Sequence, residues 1–158
     1  MISADVAAFV ESPVMILVST RDSAHRAFIA RGSGARFDRR RGQIDVLLCR
    51  GQWPDVAGNA VRGAPIAVTV VRPSDYRAFQ VKGVIEEVAS ASEEEQRRAT
   101  AYVARMLEIM AELGVTKVQL SHTLSDRDLV RISFLPTDLF VQTPGPDAGQ
   151  RLDQVTQR

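Results

Sequence analysis

The sequence predicts a single α+β domain that is mainly strand, a small closed or partly closed barrel of about six antiparallel strands with flanking helices. Three observations point there. Short apolar or alternating runs follow one another with turn residues between them. Only one stretch, residues 92–113, carries a long helical stripe, and it lies directly before the last strand. Strands and helices therefore do not alternate one for one, as a doubly wound parallel sheet would require.

Ser3 can cap a short helix that places Val6, Phe9 and Val10 on one face, and Pro13 ends it because the residue before a proline resists helical geometry. Val14 to Val18 is short, apolar and partly β-branched, which predicts a strand. Arg21, Asp22 and Ser23 make a turn, and Arg26 to Ala30 forms the second strand. Gly32 and Gly34 mark a bulge or a close backbone approach just after it.

Arg39, Arg40, Arg41 and Gly42 read as a charged turn before a third strand, Ile44 to Cys49. Pro54 to Arg62 predicts a helix closed by Gly63, and Ile66 to Val71 a further strand. Tyr76 to Val88 is the longest strand, with Phe79, Val81, Gly83 and Ile85 on one face and Gln80, Lys82 and Glu86 on the other. Ser92 and Glu95 form a capping box for the long helix. Its stripe runs through Tyr102, Val103, Met106, Leu107, Met110 and Leu113 and stops at Gly114.

Residues 115–128 lack a sustained period and read as loop. Val130, Ile132 and Phe134 give the last strand, interrupted at Pro136 before Phe140, Val141 and Gln142. The domain is expected to span residues 1–143, with residues 144–158 a loose polar tail.

The charge balance of +1 gives no global argument for nucleic acid or membrane as partner, and none is expected. Cys49, the only cysteine, cannot form an internal disulfide, and no apolar run approaches the roughly twenty residues that span a bilayer. Asp5 and Glu11 interrupt any apolar signal core, so the expected location is the cytoplasm.

The order of elements, with the strand Val14 to Thr20, the stretch Arg26-Ala27-Phe28-Ile29-Ala30-Arg31, the stretch from Phe79 to Gly83 and the closing Phe140 to Pro146, resembles the pyridoxamine 5'-phosphate oxidase-related FMN-binding split barrels. The resemblance covers most of the chain. It implies a homodimer that holds FMN in clefts at the subunit interface and acts on a small molecule as an oxidoreductase. Relatives with this barrel use a deazaflavin or haem instead, and both stand as alternatives. A non-catalytic or stress-related ligand-binding module is the alternative to an enzyme.

By this resemblance Arg26 meets the FMN phosphate and Arg31 an anionic substrate, while Ala27, Phe28 and Ile29 between them line the cofactor. Five residues apart, the two arginines lie on opposite faces of a regular strand, which suits two roles. Arg50, Gln52 and Trp53 occupy the turn where the family places further phosphate ligands, often a basic pair; here Gln52 and Trp53 stand near that pair. Gln80 and Lys82 match positions that hydrogen-bond the flavin ring or its ribityl chain.

Each has a plainer reading. The arginines, Gln80 and Lys82 could be solvated, and Trp53 before Pro54 reads first as a packing residue at a helix start. His25 and His122 lack a Cys or His at ligand spacing, so no metal is expected. Cys49 reads as a small apolar packer, the arginines at 36 and 39–41 as a solvated turn, and Glu93, Glu94 and Glu95 as favourable charges at a helix start. No nucleophile, triad or catalytic residue is assigned. Flavin chemistry needs none, because the cofactor carries it.

Overall fold

The computed structural model describes residues 2–152. Six strands close into an antiparallel barrel in the order β1-β2-β3-β6-β5-β4, with β1 at Met15–Arg21, β2 at Ala27–Asp38, β3 at Gln43–Cys49, β4 at Pro65–Val71, β5 at Ala78–Ser90 and β6 at Leu129–Val141. The four helices are α1 (Ala4–Glu11), α2 (Pro54–Asn59), α3 (Glu93–Glu112) and α4 (Lys117–Ser121).

Alternation along the strands fills the interior. Ile44 pairs with Phe134, and Phe134 with Ile85, so three wholly buried side chains lie in one row across the barrel. The helices close its ends. Phe9 of α1 meets Phe79 edge to face at 5.2 Å, and Val6 and Val10 join the same core. At the opposite end α2 inserts Val56 and Ala60, and Thr20 Oγ1 donates to the Val56 carbonyl at 3.1 Å.

The caps form as the sequence dictates. Ser3 accepts from the Val6 N–H, and Ser92 with Glu95 makes the reciprocal capping box of α3. Gly114, at φ 85°, takes the left-handed turn that ends α3. Leu113 does not follow the rest of the stripe, since it is exposed.

Several expectations about the elements need correction. The second strand does not stop at Ala30: β2 continues to Asp38, with a register shift between Gly32 and Ala35 that absorbs the two glycines as a bulge. The helix after Trp53 ends at Asn59, three residues before Arg62, because the Val61 N–H turns back to the Asn59 carbonyl. The segment 115–128 contains α4, whose capping box joins Thr116 to Gln119 in a helix too short to show a period.

Pro136 does not interrupt the last strand. β6 runs through it because Pro136 stands opposite Gly83 at a bulge, where a missing N–H costs no ladder bond. Beyond Phe134 the strand leaves β3, and its free edge is taken by the returning chain: the Leu152 N–H donates to the Leu139 carbonyl at 2.8 Å, and Arg151 Nη2 meets Asp138 at 2.6 Å. Residues 144–152, read as loose tail, are thus tied to the barrel; residues 153–158 lie outside the described residues.

Candidate functional site

Residues that point away from the barrel interior assemble a continuous outer face. Arg31 of β2 pairs with Leu17 of β1, Leu17 with Thr69 of β4, Thr69 with Gln80 of β5, and Gln80 with Phe140 of β6. At one strand spacing per step, the row from Arg31 to Gln80 is about 14 Å long. The next row is Ile29, Ser19, Ala67, Lys82 and Asp138. Four of the residues singled out from the sequence, Ile29, Arg31, Gln80 and Lys82, therefore share one surface though they come from strands fifty residues apart.

The polar ends of these rows differ in their bonding. Gln80 Nε2 donates to Thr69 Oγ1 at 3.0 Å, which leaves the Gln80 amide oxygen free to accept. Lys82 places its ammonium 4.8 Å from the Phe140 ring centre. At the other end Arg31 is half-buried, and its Nε and Nη2, which are shut off from solvent, have no hydrogen-bond partner among the described residues.

Burial pulls the Arg31 pKa below the ordinary arginine value, and the nearby Tyr102 oxygen only partly opposes this. That oxygen makes no hydrogen bond of normal geometry to Arg31; instead the Tyr102 hydroxyl donates to the Val14 carbonyl at 2.7 Å. Burial likewise raises the Tyr102 pKa, so the phenol stays neutral. Arginine remains charged at any ordinary pH, so Arg31 is a cation with two N–H groups directed at no acceptor.

Among the remaining strand positions Ala27 shares the outer parity and is exposed, whereas Phe28 points inward and packs on the core. Phe28 is thus removed from a site on the outer face. Arg26 precedes β2, and its Nε lies 2.8 Å from Asp22 in the β1–β2 turn, with the side chain largely in solvent. It does not converge with Arg31.

The β3–α2 turn begins beside Arg31, since Gly32 pairs with Leu48 and β3 ends one residue later. Arg50 faces Asp128 at 3.7 Å and is half exposed. Gln52 Nε2 donates to the Ser121 carbonyl of α4 at 3.0 Å, while its buried Oε1 has no partner among the described residues. Trp53 packs against the core, the plainer of its two readings, but its buried Nε1 is likewise unpaired among the described residues. Cys49 is buried in a small apolar cluster. Thr69, Tyr102 and Leu17 were missed as site residues. Thr69 carried a signal, being the one polar residue in the strand Ile66 to Val71.

These groups fit the ring end of a flavin. Leu17 and Ile29 give apolar surface, Thr69, Gln80 and Lys82 give polar partners along an edge, and the orphaned N–H groups of Arg31 call for an anionic or carbonyl acceptor. Arg26 and Arg50 could hold a phosphate, each in competition with its aspartate.

No protein-family model and no curated protein matches the chain. Solved structures do. The HupZ protein of Group A Streptococcus superposes with a TM-score of 0.55 at 13% identity, covering 94% of this chain and 100% of that one. A Lactobacillus delbrueckii protein described as a candidate pyridoxamine 5'-phosphate oxidase gives 0.52 at 10% identity, with 87% and 92% covered. The fold is the pyridoxamine 5'-phosphate oxidase-like split barrel. A conserved protein of Mycobacterium tuberculosis, Rv2991, also shares this split barrel, with a TM-score of 0.51 at 14% identity over 89% of this chain and 84% of its own. At such identities the likeness carries the fold and leaves the ligand to the site itself.

Proposed function

We propose that this split barrel is an FMN-binding flavoprotein, an oxidoreductase acting on a small molecule, and that it works as a homodimer with the cofactor held between subunits. The observation that carries the reading is Arg31: a half-buried arginine whose Nε and Nη2 are shut off from solvent without a partner among the described residues, on the same outer face as the Thr69–Gln80 pair. An unpaired buried cation is costly, so this arrangement is explained by an acceptor that arrives with a ligand or a second subunit. Ile29, 62% exposed, and Val84, 37% exposed, leave the same face apolar and uncovered, as an association surface would be.

Bound FMN would supply the electron-transfer chemistry. The chain's part is to orient and to exclude water: Gln80 and Lys82 address a ring edge, Ile29 and Leu17 cover its surface, and Arg31 holds an anionic substrate. A ligand-binding module without tight flavin is the second reading, favoured by one observation: Arg26 and Arg50, the cations nearest a phosphate position, each already face an aspartate.

The visible spectrum of the purified protein, followed by FMN titration, separates the two. Uptake of FMN at micromolar concentration, weakened about tenfold in Gln80→Ala, supports the flavoprotein. A colourless protein that takes up no FMN overturns it, and a haem or deazaflavin band would replace FMN with that cofactor.

A further inference from the structure

A recess lies between the end of α1, the bulge of β2 and the side of α3, with a volume of about 300 Å³. Its α3 wall follows from helical spacing. Arg98, Ala101, Tyr102 and Arg105 recur at intervals of three and four and so share one side of the helix. Ala101 is the reason the recess exists, since a larger side chain there would fill it. Pro13 and Val10 form the facing wall, and Gly34 and Ala35 the floor where the bulge turns the chain away.

The charges in the recess are not equally engaged. Arg105 is paired with Glu108 at 3.0 Å. Glu11 is held in place because one of its oxygens accepts the Phe37 N–H at 2.9 Å. Arg98 is half-buried, and among the described residues it has no carboxylate within 4.0 Å and no side-chain hydrogen bond. With Arg105 paired to Glu108 and Glu11 bonded to the Phe37 N–H, Arg98 is the cation of the recess that has no partner among the described residues, and it stands beside apolar walls.

We infer that this recess binds a small organic monoanion, a carboxylate on a compact apolar body, with Arg98 as the charge partner. The volume is at the lower end for small-molecule sites, which excludes a flavin or a nucleotide. Glu11 at the rim disfavours dianions such as phosphate monoesters. The recess shares Tyr102 with the Arg31 end of the outer face, but its charge partner, Arg98, takes no part in the flavin reading.

The test is a ¹H–¹⁵N titration of the full chain with benzoate, with benzyl alcohol and inorganic phosphate as parallel probes at matched ionic strength. Saturable shifts at Gly34, Ala35 and Ala101 with benzoate, and much weaker ones with the two other probes, are expected. Arg98→Gln and Ala101→Phe should each weaken benzoate about tenfold or more, while Arg97→Gln on the exposed side leaves it unchanged. Both affected positions are on the helix surface, and unchanged melting temperatures would show that the fold is intact. Shifts that lie elsewhere, that persist in Arg98→Gln, or that phosphate reproduces at equal affinity would overturn the inference.

Discussion

The two surfaces of the barrel wall obey different rules. Inside, Ile44, Phe134 and Ile85 meet in a closed apolar row, and α1 and α2 plug the two ends. Outside, on the same strands, Arg31 is half-buried with its Nε and Nη2 unpaired among the described residues, and Ile29 is exposed. Interior positions are determined by packing within the chain, whereas the outer positions make physical sense only with something laid against them. One strand shows both regimes: in β2, Phe28 and Ala30 face the core while Ile29 and Arg31 face outward.

The comparison is broken most severely at Gly83. A Cβ built there would meet the Phe134 ring at 2.6 Å and collide with the Leu135 backbone, so neither neighbour can yield without moving β6. Gly83→Ala is expected to lower the unfolding free energy by about 3 kcal/mol or more in urea denaturation. Gly58→Ala is the control: nothing lies within 4 Å of its built Cβ, and in α2 the change should raise stability by about 0.5 kcal/mol or more. Equal effects at the two sites would mean that the inner surface is not tightly determined.

A charge on the outer surface is the complementary test. Ile29→Asp leaves the core untouched, so the chain should still fold. Light scattering after size exclusion should show a mass reduced from two chains to one, with the monomer's melting temperature no longer dependent on its neighbour. A wild-type protein that is already monomeric would remove the second subunit as the explanation of the outer face.

This division also decides what the sequence could say. Inner positions were readable because period-two alternation in Phe79, Val81, Gly83 and Ile85 reports directly on the barrel interior. The long helix was readable from Ser92 and Glu95, whose capping box is local. Pro136 misled because its tolerance depends on Gly83, more than fifty residues away, and α4 was missed because one and a half turns leave no period. At the candidate site, alternation alone puts Gln80 and Lys82 on the outer face of the barrel. That Arg31 would be half-buried and unpaired, that Phe28 would point inward, and that Arg26 would turn to Asp22 all depend on neighbours or local turns that spacing does not encode.

Arg31 itself sharpens the contrast at smaller magnitude. Replacing it by Met keeps the volume and removes a charge that burial disfavours, so Arg31→Met should leave the unliganded chain as stable as before or more stable, by about 1 kcal/mol. The same variant should lose turnover or binding of anionic substrates while still taking up FMN. Arg31→Lys should not restore it, because lysine cannot offer two N–H groups in one plane. A Met variant that unfolds would show that Arg31 serves the chain's own packing.

The smallest effect is expected at the turn between β4 and β5, which is largely exposed. The Arg72 guanidinium bonds Asp75 through both carboxylate oxygens, at 2.9 and 2.5 Å, and together with the Arg77 N–H it holds that carboxyl down at about 2, against an ordinary 3.8. Because the folded value is the lower one, the contribution to stability is complete above 3.8 and is lost as pH falls through about 2. Arg72→Met should move the Asp75 carboxyl midpoint, followed by ¹³C resonance, up toward 3.8. Arg72 and Arg77 also lie over the Phe9 ring at 5.6 and 5.2 Å, so the variant removes one of two cations from the contact between this turn and α1. Exposure screens the ion pair, and the melting temperature near neutral pH should therefore shift little. A midpoint that stays near 2 in the variant would assign the depression to the Arg77 backbone N–H alone.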